Sequence, residues 1–296
     1  MKHHLSTSSK LDCTGFMAIM NWFLSLAILH HHNIIHRDAS DNNVVVFGPG
    51  VMCWLIDFLS AVSLGNHSAW IENSPHSTFP DIVASDGRYD KQSDVFSIAM
   101  SLVLYHALHM TRRRLVNMLQ LIDLTNKNFG SLDQVRQRAY QNCFIDLSNA
   151  DHKSSYHLLI QIIFGFIDPN RDQRPSMWDL FGNIRLANEI RRSIRTIVLS
   201  TQYQNWFSDF NQVRLLDSID ALGQRVRDAD VAVTSILMMV FFTLHCHRLD
   251  KAIRHHHFQQ IELLLVEKTL HQTHRQLLWQ YEAFFPACMV DSLYNK

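Results

Sequence analysis

Two short strand-like runs joined by three turn residues constrain the fold of this chain more than any other feature. The runs are Val-Val-Val-Phe at 44–47 and Val-Met-Cys-Trp-Leu-Ile at 51–56, and Gly-Pro-Gly at 48–50 lies between them. β-Branched and aromatic residues on both sides of turn residues predict a β-hairpin. Because a hairpin returns the chain to its origin, we expect the polar stretch 36–43 to meet Asp57, which follows the second strand.

Helical patterns surround this hairpin. Residues 14–32 predict a packed helix, whose apolar face would hold Phe16, Ile19, Met20, Phe23, Leu26 and Ala27. Residues 95–106 are apolar nearly all round, which predicts a helix buried on every side, with Ser93 and Asp94 as N-cap residues. Between these helices, 58–88 lacks periodicity and predicts a long loop, of the kind that is usually functional.

The rest of the chain also predicts helices. A polar loop at 168–175 precedes several amphipathic stretches, and 185–296 contains a single proline, Pro286. The expected fold is therefore mainly α with one short β-hairpin. We expect one domain over 14–184 and an appended helical region over 185–296. No linker separates them, so the alternative is that both share one core.

Composition narrows the class of partner and the compartment. Lys plus Arg and Asp plus Glu both number 27, so the chain lacks the basic field of a nucleic-acid binder, and a protein or nucleotide partner is expected. Five scattered cysteines without a CxxC pair indicate reduced thiols of an intracellular, cytoplasmic protein. The polar N-terminus and the short apolar run 231–244 predict neither a signal peptide nor a membrane span. Metal binding is an alternative interpretation of the histidine clusters at 30–32, 245–247 and 255–257, although they lack a third ligand.

The polar stretch before the hairpin carries the motif with chemical meaning. Residues 36–43 read His-Arg-Asp-Ala-Ser-Asp-Asn-Asn, which matches the pattern H-R-D-x-x-x-x-N, and Asp57-Phe58 follows the hairpin at the place of D-F-G. The order helix, H-R-D loop, hairpin, Asp-Phe, long loop and buried helix is the context that this motif requires. Over 14–184 the chain thus resembles the C-terminal lobe of eukaryotic protein kinases. The serine in H-R-D-x-S-x-x-N is most similar to the fungal-type protein kinase group.

The resemblance implies roles for four residues. Asp38 would be the catalytic base, and Arg37 and Asn43 would complete the catalytic loop. Asn43 and Asp57 would hold Mg²⁺ against the phosphates of ATP, with a protein hydroxyl as the phosphate acceptor. The alternative from the residues alone is that Asp38 and Asn43 only form Asx turns in a polar loop.

Further matches extend the resemblance downstream. Residues 93–97 are similar to the helix start D-V-W-S, whose aspartate, here Asp94, braces the backbone of the catalytic loop. Arg174 lies in an R-P segment and would pair with Asp81 at the A-P-E place, unless that pair is an inconsequential surface contact. The long loop would be an activation segment in which Arg37 receives a phosphate on Ser60, Ser63, Ser68, Ser74, Ser77 or Thr78.

Departures from the family pattern set the expectation for activity. Leu59 replaces the glycine of D-F-G, and Ser40 stands where serine/threonine kinases usually carry a lysine. The residues before the H-R-D loop contain no G-x-G-x-x-G, no V-A-I-K and only the lysines Lys2 and Lys10, and 185–296 offers no substitute lobe. We therefore expect weak Mg·ATP binding and little transfer. The alternatives are a silent kinase-like module that serves as a protein-interaction scaffold, or an unrelated helical interaction protein, which would leave the loop and hairpin unexplained.

Overall fold

A computed structural model describes residues 13–47, 52–64, 89–110, 155–207, 209–224 and 230–246. Its helices are α1 (Cys13–His31), α2 (Lys91–Met110), α3 (Ser155–Phe166), α4 (Met177–Phe181), α5 (Ile184–Leu199), α6 (Asp209–Gln224) and α7 (Val231–His245). Its strands are β1 (Ile34–Ile35), β2 (Val44–Phe47), β3 (Met52–Leu55) and β4 (Val62–Ser63). The described part of the chain is thus mainly helical with a small sheet of β2 and β3, as predicted, and a second small sheet of β1 and β4 that was not predicted.

Helix α1 and the two predicted strands form where the sequence places them. The six apolar residues assigned to one face of α1 are all buried, and Met17, Trp22 and Leu24 are buried as well, so apolar contacts surround most of the helix. Strands β2 and β3 are neighbours in one sheet. The Gly-Pro-Gly turn at 48–50 lies outside the described residues.

The segment after the hairpin is more ordered than the predicted loop. Phe58–Ser60 form a 3-10 turn, and β4 pairs with β1 in an antiparallel ladder that sets Ile35 opposite Val62. The backbone N–H of Leu64 extends this contact by donating to the carbonyl of Asn33 at 2.7 Å. The loop prediction was wrong for 58–64, because two-residue strands are too short to produce a periodic pattern. Residues 65–88 lie outside the described ranges.

Helix α2 begins earlier than predicted, and a different residue caps it. The carboxylate of Asp90 accepts from the backbone N–H groups of Gln92, at 2.8 Å, and Ser93, at 3.0 Å. Ser93 and Asp94 therefore lie in the first turn of the helix, and their prediction as N-cap residues was wrong. Burial is confirmed for 95–103, where Val95, Ile98 and Leu102 are among the buried side chains, while the side chains of 104–106 lie outside the described ones.

Contacts divide the described residues into two compact units. The first unit contains residues 25–46, 53–64, 89–110 and 155–177, and the second contains 13–24, 47, 52, 178–207, 209–224 and 230–246. In the first unit α2 packs against α3. The predicted polar loop at 168–175 includes a 3-10 turn, Arg171–Gln173.

Three helices of the second unit, α5, α6 and α7, pack against one another. Asp230 caps α7 by accepting from the backbone N–H groups of Ala232 and Val233. Residues 232–245 of α7 are all buried, which confirms the predicted buried helix. Helical structure is confirmed for most of 185–246, whereas the proposed boundary near residue 184 stays a prediction.

Helix α1 has the length and composition of a membrane-spanning helix, unlike the segment 231–244 considered above. It contains 19 residues, and an 18-residue window has a mean hydropathy of 1.5. Within the protein 78% of that window is buried, as in the core helices of soluble proteins, which pass the same test. Length and composition therefore do not decide whether α1 meets a membrane.

Three of the five cysteines lie in the described part of the chain. Cys13, Cys53 and Cys246 form no disulfide within the described ranges. Burial raises the pKa of the Cys53 thiol to about 12, so this thiol is inert near neutral pH.

Candidate functional site

A buried carboxylate at the start of α2 organises the predicted catalytic loop. Asp94 has no exposed surface. Its Oδ1 accepts a hydrogen bond from the backbone N–H of Arg37 at 2.8 Å, and its Oδ2 accepts one from the backbone N–H of His36 at 2.7 Å. The predicted bracing role of Asp94 is thus confirmed by its two contacts to the loop backbone.

Asp94 has a third partner that the sequence analysis missed. The Nε2 atom of His30, in the last turn of α1, lies 3.1 Å from Oδ2 of Asp94. The sequence separation of 64 residues hides this contact, and His30 was considered only as part of a possible metal cluster. The signal in the sequence is a histidine near the end of the predicted helix, six positions before His36.

The backbone of Arg37 adopts a strained conformation. Its φ of 68° lies in the left-handed region, which costs a non-glycine residue about 1–3 kcal/mol. The bond to Asp94 helps to hold this conformation. The guanidinium of Arg37 is buried and lies 4.8 Å from the ring centroid of Tyr89, a cation–π contact at the end of the segment 65–88.

The imidazole of His36 links the loop to the segment that carries Asp57. Its Nδ1 accepts from the backbone N–H of Asp38 at 3.3 Å, so the ring proton resides on Nε2. That Nε2 donates to the carbonyl of Ile56 at 3.0 Å. The ring also lies 4.9 Å from the ring of Phe58. His36 thereby fixes the residues on both sides of Asp57.

Asn43 forms hydrogen bonds both to the catalytic loop and to the residue that precedes Asp57. Its backbone carbonyl accepts from the N–H of Ile56 at 2.9 Å, and its side-chain Nδ2 donates to the carbonyl of Asp38 at 3.0 Å. The same residue therefore contacts the base position and the neighbour of Asp57. These bonds place Asn43 beside Asp38 and beside Ile56, the residue before Asp57, whereas a common site for the three side chains stays a prediction.

The surroundings of the Asp38 carboxyl group disfavour its charged form. Burial raises the pKa of its carboxyl group, and the nearby charge of Asp57 raises it further, while hydrogen bonds with Asn43 and Ser40 oppose this shift. Oδ1 of Asp38 is buried and has no hydrogen-bond partner among the described residues. A buried acceptor without a partner is costly, so such an atom is a candidate for substrate contact.

The two predicted metal ligands offer the atoms that Mg²⁺ prefers. Asp57 is exposed and presents a carboxylate, and the donation from Nδ2 leaves the amide oxygen of Asn43 as the second ligand atom. Within the described ranges no group of three or more His, Cys, Asp or Glu side chains is arranged to hold a metal ion. His247 and the histidine run 255–257 lie outside those ranges. Both donors are oxygen atoms, which is the ligand type that a hard cation such as Mg²⁺ takes.

Leucine at the D-F-G glycine position is compatible with this backbone. The left-handed residue is Asp57, with φ 61° and ψ 74°, whereas Leu59 belongs to the 3-10 turn. The Leu59 N–H faces Oδ1 of Asp57 at 3.4 Å, and the Leu59 side chain is 96% exposed. Neighbouring exposed apolar side chains are Ile56, Phe58 and Leu64.

The remaining predicted contacts fall partly outside the described residues. Asp81, Ser68, Ser74, Ser77 and Thr78 lie there, so the Asp81–Arg174 pair and most phosphorylation positions stay predictions. Arg174 itself is buried, where it donates to the carbonyls of Asp168 at 2.7 Å and Gln92 at 3.1 Å and lies over the ring of Phe96.

Comparison with known proteins gives no family for this chain. No protein-family model matches the sequence, and no curated protein matches it significantly. We therefore infer function from the motif residues and from the contacts described above.

Proposed function

We propose that this chain is a phosphotransfer module of the protein-kinase type, which transfers a phosphoryl group from Mg·ATP to protein hydroxyls. One observation carries the proposal. The carboxylate of Asp94 and the ring of His36 together tie the loop at 36–43 to the segment around Asp57. This arrangement supports one shared site for a base and two oxygen ligands.

Asp38 has the role of the base in this proposal. Its partnerless Oδ1 would accept the proton of the attacking hydroxyl. The raised pKa that burial produces makes the carboxylate a better proton acceptor than an exposed one. The hydrogen bond from Asn43 Nδ2 to the Asp38 carbonyl keeps the base in place.

Asn43 and Asp57 are the residues that would hold Mg²⁺. When bound, the ion would neutralise charge on the transferred phosphates. Asn43 is fixed through Ile56 and Asp38, and the left-handed backbone of Asp57 is set by the following 3-10 turn. Preorganised ligands of this kind lose less entropy when they bind a cation.

We expect transfer by this chain alone to be slow. The sequence analysis found no glycine-rich loop and no V-A-I-K lysine, so the phosphates would rely on the residues named above. Asp57 is exposed, and water screens electrostatic interactions at an open site. Weak nucleotide binding should accompany the slow rate.

A transfer assay with γ-labelled ATP, Mg²⁺ and dephosphorylated casein tests the proposal. The unmodified chain should transfer slowly, and Asp38→Asn and Asp57→Ala should each reduce the rate by about 100-fold or to background. Asp41→Asn is the matched control, because it neutralises a carboxylate of the same loop that has no role in the proposed chemistry. Equal rates in all four proteins would indicate a contaminating kinase and contradict the proposal.

The alternative, a catalytically silent kinase-like scaffold, is favoured by a different observation. Leu59 is 96% exposed, and Ile56 (40%), Phe58 (47%) and Leu64 (49%) expose apolar surface in the same short segment. Apolar exposure of this kind is typical of surfaces that bind proteins. Titration with Mg·ATP, followed by NMR of the Asn43 side-chain amide, separates the two functions. A scaffold would show no nucleotide-dependent shift, whereas the phosphotransfer module would show one that Asp57→Ala removes.

A further inference from the structure

The contact between His30 and Asp94 has a defined donor and acceptor. Both side chains are buried, with 8% and 1% of their surfaces exposed, and the atoms Nε2 and Oδ2 are 3.1 Å apart. An ionised carboxylate can only accept, so Nε2 of His30 carries the proton and donates it in the hydrogen bond.

The carboxylate of Asp94 accepts two hydrogen bonds in addition to the one from His30. Oδ2 also accepts the N–H of His36, and Oδ1 accepts the N–H of Arg37. All three donors can be satisfied only in a narrow range of carboxylate orientations. Rotation of the carboxylate away from His30 would therefore also lengthen its bonds to the loop.

The backbone of Asp94 is placed independently of His30. Asp90 caps α2, and the guanidinium of Arg171 donates both to Asp90 Oδ1 and to Ser93 Oγ at 2.6 Å. These contacts hold the first turn of the helix. The contact with His30 therefore acts on the orientation of the Asp94 side chain. The carboxylate of this side chain is the group that binds the catalytic loop.

We propose that His30 is a positioning residue for the catalytic loop, acting through Asp94. Its Nε2–H orients the Asp94 carboxylate so that the left-handed backbone at Arg37, and the Asp38 that follows, keep their places. The kinetic consequence rests on the proposed phosphotransfer function, whereas the effect on the loop backbone does not.

Three variants separate the donor from the bulk of the side chain. His30→Leu removes the donor and retains an apolar side chain of comparable size. His30→Gln is the conservative variant, because its amide N–H can occupy the position of Nε2. His32→Leu is the matched control, since His32 is exposed on the segment that follows α1.

Amide hydrogen exchange by NMR is the first readout, because the N–H groups of His36 and Arg37 donate directly to Asp94. In His30→Leu we expect these two amides to exchange about tenfold faster, the effect of weakening a buried hydrogen bond. The amides of Ala99 and Met100 in α2 should not change, which distinguishes loop opening from unfolding of the unit. His30→Gln and His32→Leu should exchange within about threefold of the original rates.

Steady-state transfer from Mg·ATP is the second readout. His30→Leu should lower kcat about tenfold and leave the KM for ATP within about twofold, because the base is misplaced while the ligands Asn43 and Asp57 remain. His30→Gln should restore kcat. A purely structural role would instead change expression and global stability without this split between kcat and KM.

Each outcome decides the proposal. The proposal is wrong if the amides of His36 and Arg37 exchange at unchanged rates in His30→Leu, or if the amides of α2 exchange faster by the same factor. It is also wrong if His30→Gln does not restore slow exchange at His36 and Arg37. If His30→Leu does not fold, native exchange in His30→Gln supports the role of the donor, and fast exchange there contradicts it. If no protein transfers phosphate but exchange behaves as expected, the proposed function fails while the positioning role stands.

Discussion

Replacement of Asp94 by alanine should destabilise the protein strongly, although Asp94 lies outside the motif that predicts the chemistry. The substitution removes the acceptor of two backbone N–H groups, those of His36 and Arg37. The Asp94 side chain that accepts them is buried. A buried donor that loses its partner costs about 1–3 kcal/mol. Two such donors give about 2–6 kcal/mol, a large share of the 5–15 kcal/mol that stabilises typical domains.

Relaxation of the loop places the expected loss in the lower half of that range. Without Asp94 the left-handed backbone of Arg37 loses a supporting bond, and its release recovers about 1–3 kcal/mol of strain. The freed N–H groups can then reach water. We therefore expect the free energy of unfolding to fall by about 2–4 kcal/mol in Asp94→Ala.

Urea unfolding near neutral pH, followed by tryptophan fluorescence and circular dichroism, measures this loss. Asp94→Asn keeps one oxygen acceptor at nearly the same volume, so its loss should lie between those of the original chain and the alanine variant. Asp172→Ala removes an exposed carboxylate of the same unit and should change stability by less than about 0.5 kcal/mol. A loss below about 1 kcal/mol in Asp94→Ala would refute the reasoning, because it would show that the loop does not depend on this carboxylate.

Three further predictions concern charge and packing. Because burial raises the pKa of Asp38, the contribution of this group to stability should be lost as pH rises from 3.8 through the folded pKa. Urea titrations across that range should show that Asp38→Asn removes this part of the pH dependence and leaves the rest. Burial opposes ionisation of Asp220, but hydrogen bonds from Arg191 and Arg195 prevail and lower its pKa. Its contribution is present above 3.8 and lost as pH falls through the folded value, so Asp220→Asn should lower the melting temperature near neutral pH and not in strong acid. A Cβ at Gly223 would lie 2.5 Å from Cδ of Arg191, so Gly223→Ala should stabilise by about 1 kcal/mol in an Arg191→Ala background and by less in the original chain, as thermal unfolding of the four proteins would show.

Strong local patterns account for the parts of the fold that the sequence predicted. Helix α7 combines an aspartate N-cap with a nearly continuous apolar run, and both signals agree on a buried helix. Strands β2 and β3 follow from their β-branched and aromatic residues. The contact between Asp94 and the loop was also predictable, because the motif supplied the long-range information that periodicity lacks.

Features that depend on distant partners were not predictable from local patterns. Strand β4 forms because it pairs with β1, and neither strand has more than two residues. The choice of Asp90 over Ser93 and Asp94 as the cap depends on side-chain directions, because all three residues lie within five positions and are of types that favour capping. His30 meets Asp94 only after α1 and α2 have packed, so no sequence window contains both.

The capping by Asp90 explains how Asp94 can hold the loop. A carboxylate that caps a helix accepts hydrogen bonds from the N–H groups of the first turn, as Asp90 does from Gln92 and Ser93. Because that need is met, both oxygens of Asp94 remain available to the backbone of the loop. The same reasoning applies at the end of the hairpin, where Asp57 adopts the left-handed conformation and position 59 does not. A leucine can therefore stand there without moving Asp57, so the lost glycine is no argument against a correctly assembled site.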